Sequence, residues 1–149
     1  MTPFLADVVW PALILSVRLL AWWCIAASLV LEAMALWHFM GIRPVKAFAA
    51  SVAMNTVSAF FGALLLPMAG IWWETLASFP CLAWLGHGTF HPISWIATCL
   101  IAIAISTLIE TFVLWLVFLM PWTRRLAAVI LLANGATVIP AVLAIFFLK

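Results

Sequence analysis

Two carboxylic acids stand inside uncharged runs of this 149-residue chain, and an amide follows each of them in the next apolar run. Glu32 lies in Ser28-Leu29-Val30-Leu31-Glu32-Ala33-Met34-Ala35-Leu36-Trp37, and Glu110 in Ser106-Thr107-Leu108-Ile109-Glu110-Thr111-Phe112-Val113-Leu114-Trp115. The order Ser, Glu, Leu, Trp recurs with identical spacing 78 residues on. Asn55 with Ser58 and Asn134 with Thr137 repeat at an offset of 79, so the turns between differ by one residue. Side chains three and four apart share a helix face. The spacing therefore predicts polar stripes pairing Ser28 with Glu32, Ser106 with Glu110, Asn55 with Ser51, Ser58 and Gly62, and Asn134 with Thr137 and Ala141.

Such groups offer two kinds of chemistry. A carboxyl deep in hydrocarbon is costly to ionise. The plainer expectation is a neutral acid donating to an Asn carbonyl or a hydroxyl, a contact of about 0.6–2 kcal/mol that fixes helix register. The sharper one is a proton- or cation-handling site, because ionisable groups within the membrane mark such pathways. The two halves supply the same pair, which suits a lock better than a catalyst needing two different partners. Glu32, Asn55, Glu110, Asn134, Ser28, Ser58, Ser106 and Thr137 are the candidate residues under either reading.

The setting is a membrane. With 70% hydrophobic and only 7% charged residues, the chain lacks the water-compatible surface of a soluble domain. About 20 apolar residues cross the hydrocarbon as a helix, so the length holds four crossings. Continuous apolar runs exclude the alternating strands of a barrel. The expectation is an all-α, polytopic four-helix bundle forming a single integral membrane domain over residues 1–149. Its helices are predicted over about Ile14–Met40, Val45–Trp73, Ile93–Met120 and Leu126–Leu148. Pro67 and Gly70 predict a kink or loosening near the end of the second. Repeat 1 is placed at about 14–73, an outer loop at about 74–92 and repeat 2 at about 93–148. Both hairpins would run the same way, as parallel repeats about an axis along the membrane normal. Small-residue stripes are where such helices are expected to approach closely.

Arg43, Lys46, Arg124 and Arg125 cluster near the two short turns, against Arg18 and Lys149 at the other end. The positive-inside rule then places the turns in the cytoplasm and the termini and long loop outside, in a bacterial inner membrane. No basic stretch and cleavage site precede the first apolar run, so no cleaved signal peptide is expected. Most tryptophans fall near predicted helix ends, as interfacial belts do. Trp22 and Trp23, eight residues inside the first predicted helix, fit that rule poorly.

Other chemistries are less well supplied. His87 and His91 have metal-ligand spacing, but Gly86, Gly88 and Pro92 oppose a helix there and no third ligand follows. Solvated loop histidines are the better expectation, with an enzyme acting on lipid through them a weaker one. His38 has no partner at its level for a bis-histidine haem. Cys24, Cys81 and Cys99 form no CxxC redox pair. Motifs for nucleotides, activated nucleophiles or zinc are absent, and a formal charge of +2 without a basic cluster does not suit nucleic acid. The reading is of a non-enzymatic protein without cofactor or metal, a structural or accessory subunit partnered with the bilayer and with another membrane protein or itself. The alternative is a small oligomeric transporter or channel using Glu32 and Glu110.

Overall fold

The computed structural model describes residues 14–15, 21–77 and 92–147. Four long helices account for nearly all of them: α1 (Trp22–Met40), α2 (Pro44–Ala77), α3 (Pro92–Val117) and α4 (Arg124–Phe147). All four contain stretches long and apolar enough to cross a membrane. Each packs against two neighbours, α1 on α2 and α4, and α3 on α2 and α4, so the helices form a ring. Large apolar side chains such as Phe60, Leu64, Leu100 and Leu132 stay exposed around it. Water would penalise that surface and lipid does not.

All four helices begin or end away from their expected positions, for local reasons. α1 starts at Trp22 rather than running on from Ile14, because the backbone is extended at Ala21; Ile14 and Leu15 are helical before that break. This puts Trp22, 80% exposed, at a helix end, which answers the misfit of the two tryptophans. α2 continues through Pro67 to Ala77 instead of loosening there. At 34 residues it is roughly 50 Å long, well beyond the hydrocarbon thickness of about 30 Å. α3 stops at Val117, three residues early.

The short turns show why. Gly41 closes α1 in the left-handed region at φ 66°, its N–H donating to Trp37 O, and Pro44 opens α2, where its fixed φ suits a first helical position. After α3 the left-handed residue is Leu119, at φ 53°, and the N–H of Met120 reaches back to Leu114 O. Thr123 then caps α4, its hydroxyl accepting from the Leu126 N–H at 3.1 Å. Lys46, Arg124 and Arg125 consequently sit in first helical turns, and only Arg43 stays in a connection.

The interior has three tiers. Near the short turns Leu36, Leu114, Leu126 and Ile130 are wholly buried around Met54. Toward the opposite end Leu15, Cys24, Leu66, Ala102 and Val138 form a second apolar cluster. Between them lies a polar tier contributed by all four helices. The long loop, with Cys81, Trp84, His87 and His91, lies outside the described residues, as do Trp10, Arg18 and Lys149.

Leu119 pays the steric penalty of a left-handed residue that bears a Cβ, about 1–2 kcal/mol. Leu119→Gly is therefore expected to raise unfolding stability in detergent by roughly that amount. A thermal or denaturant melt showing no gain would mean that the turn relaxes at no cost.

Candidate functional site

The polar tier sits at one level. Glu32 lies eight residues before the end of α1 and Glu110 seven before the end of α3, while Asn55 and Asn134 lie eleven and ten residues into α2 and α4. At the helical rise this places all four roughly 10–17 Å from the short-turn end. Ser28, Glu32, Ser51, Ser58, Thr107, Glu110, Asn134 and Thr137 are buried, and Asn55 and Ser106 partly so.

In the first hairpin the contacts close on themselves. Ser28 Oγ lies 2.5 Å from Glu32 Oε1 and 2.7 Å from Asn55 Oδ1, and Asn55 Nδ2 donates to Glu32 Oε2. Ser51 adds its hydroxyl toward Leu29 O and Glu32 Oε2, and Asn55 Nδ2 also donates to Ser51 O. Counting hydrogens assigns the donors. The single Ser28 hydrogen serves only one of two acceptor oxygens. With Glu32 as the neutral acid, its O–H donates to Ser28 Oγ, Ser28 donates to Asn55 Oδ1, and Asn55 returns an N–H to Glu32 Oε2. Every member is then satisfied, and no solvent reaches Glu32.

The second hairpin is built differently. Asn134 Nδ2 donates to Glu110 Oε2 at 2.6 Å and to Ile130 O, with a longer contact to Thr107 Oγ1. Ser58 of α2 stands beside Glu110 of the other hairpin, the two lining one cavity. Glu110 is nearly as buried as Glu32, and its hydrogen-bond donor is Asn134. Among the described residues no hydrogen bond joins Ser106 to Glu110, and Thr107, three residues before Glu110, lies beside Asn134. Thr137 satisfies its hydroxyl on Ala133 O instead of joining the acid.

The helix spacing around Gly62 also departs from expectation. A Cβ there would meet nothing within 4 Å, so this glycine marks no close helix approach. It borders a cavity of about 370 Å³ whose wall also carries Ser28, Asn55, Ser58, Glu110 and Asn134. Glu32 is not among its lining residues.

Ser51, Thr107 and Thr111 complete the tier. Ser51 was legible as a neighbour of Asn55 on one helix face; the other two lie in an unbroken Ser106-Thr107 and Glu110-Thr111 context that leaves their facing undecided. Among the described residues no cluster of three or more His, Cys, Asp or Glu has metal-site geometry. Compared with protein families, curated proteins and solved structures, the chain matches none.

Two substitutions separate the hairpins. Ser28→Ala opens the ring and leaves Asn55 Oδ1 without its donor, an expected loss of about 0.6–2 kcal/mol by melting in detergent, while Ser106→Ala is expected to be neutral. Equal effects would contradict the asymmetry. Thr111 Oγ1 is buried with no partner among the described residues. Thr111→Val should therefore hold or raise the melting temperature, since an unsatisfied hydroxyl costs about 1–3 kcal/mol when buried.

Proposed function

We propose that the chain is a small structural or accessory protein of a bacterial inner membrane, held in register by buried acid–amide locks. The observation that supports this most is the closed ring of Glu32, Ser28 and Asn55, whose donors and acceptors are used up inside the bundle. A group spent in this way fixes helices and has nothing left to offer a substrate. Partnership, with a second copy or another membrane protein, then falls to the lipid-facing helix surfaces or the turns.

The same reading includes a duplicated hairpin with the short turns in the cytoplasm. Support comes from matched positions: Asn55 donates to the carbonyl of Ser51 four residues back, Asn134 to that of Ile130, and Leu36 and Leu114 are both fully buried. The basic residues gather at the short-turn end.

A second reading, a proton- or cation-handling protein, is favoured by one observation: Glu110 borders the cavity. That reading rests on Glu110 rather than on both acids.

Glu32→Gln keeps an N–H where the acid O–H stands, so the ring survives and the melt is expected to stay near wild type. Glu32→Leu removes both ends of the ring and is expected to cost about 0.6–2 kcal/mol for each hydrogen bond it deletes. In proteoliposomes under a proton or sodium gradient, wild type and Glu110→Gln are expected to give the same flux as protein-free vesicles. Flux through wild type that disappears in a folded Glu110→Gln protein would replace the structural reading with the second.

A further inference from the structure

The two acids share a depth but not a use. Glu32 is spent inside its ring, whereas Glu110 borders the cavity with Asn134 as its hydrogen-bond donor. A carboxyl beside open space can give its proton to a base seated there. Among the described residues the basic side chains are Arg43, Lys46, Arg124 and Arg125, all exposed at the short-turn end. None stands in the polar tier.

The cavity lies beside the Glu110 carboxyl. Its polar lining includes Glu110, Asn134, Ser58, Ser106 and Thr137. Asn134 is 5% exposed and commits only its Nδ2 to hydrogen bonds among the described residues. The rest of the lining is apolar or small, with Leu66, Ala102 and Val138 beside Gly62 in the set. Ile25, Val52 and Thr56, on α1 and α2, belong to the lining and are exposed. A volume of about 370 Å³ falls in the range of small-molecule sites, roughly 300–1,000 Å³.

We propose that this cavity binds an apolar amine, with its ammonium group on Glu110 and Asn134 Oδ1 and its hydrocarbon body along Gly62, Leu66 and Val138. An amine takes the Glu110 proton, and the ammonium so formed brings three donors and a positive charge to the carboxylate left behind. An alcohol brings one donor and cannot take the proton, and an anion meets only acceptors and the acid. Gly62 supplies room for the body: any side chain at that position would project into the space the ligand fills. The site shares Glu110 with the cation-handling reading but requires no movement across the membrane.

Hexylamine, hexanol and hexanoate share a body and differ in the head, so they test the assignment. Each is titrated into the full-length protein in detergent micelles, with empty micelles as the partition blank, and followed by calorimetry or ligand-observed NMR. Hexylamine is expected to bind saturably and the other two only to partition. Gly62→Leu is expected to abolish saturable binding with an unchanged melting temperature. Ala59→Leu, which fills the same wall, serves if the first variant does not fold. Glu110→Gln is expected to weaken the amine by about tenfold or more, the loss of a charge-assisted contact. Equal binding of the three heads, amine binding that survives a folded cavity-filling variant, or no saturable amine signal would overturn the proposal. The titration runs without a gradient, so a null flux leaves it standing and a null isotherm leaves the flux experiment untouched.

Discussion

Hydrocarbon offers no hydrogen-bond partner, so a polar side chain at mid-depth must find one on another helix. The Asn55–Glu32 and Asn134–Glu110 contacts meet that demand, and each ties the two helices of a hairpin at a defined height. Apolar packing alone would not do so, because lipid competes for the same surface on nearly equal terms. Sliding α2 along α1 by one residue would rotate Asn55 away from its acid and strand both groups. The apolar tiers on either side fill the remaining space, and the polar tier decides where they start.

Much of this was legible in the chain because membrane helices obey few rules. Apolar run length announces the crossings, and a lone acid inside such a run faces inward because the alternative is severe. The Glu–Asn pairings followed from counting residues to the shared turn. What escaped was set by contacts that no periodicity records. Ser106 and Thr107 are adjacent, and spacing alone favours the first for the polar tier when it is the second that reaches Asn134. Ser58 belongs by sequence to the stripe of Asn55 but also stands beside the acid of the other hairpin. The start of α1 depends on the backbone of Ala21, a residue with no boundary signal of its own.

Sequence symmetry also conceals a difference in use. The two Ser-x-x-x-Glu stretches read alike, yet only one serine bonds to its acid, because Ser51 and Asn55 crowd the first glutamate from α2 while Ile130 occupies the position of Ser51 in α4. Relieved of that crowding, the second glutamate turns to the open space beside Gly62. Gly62 on α2, a residue type that elsewhere lets helices touch, here faces open space.

The basic residues that open α2 and α4 carry a consequence for the bilayer itself. No acidic side chain accompanies them in either first turn, so positive charge meets the positive end of each helix dipole. Two like-signed ends on one side of the bundle form a local electrostatic load that anionic headgroups relieve and zwitterionic ones do not. The headgroup composition facing these turns thus becomes part of the structure, a counter-ion supplied by the solvent in place of a residue.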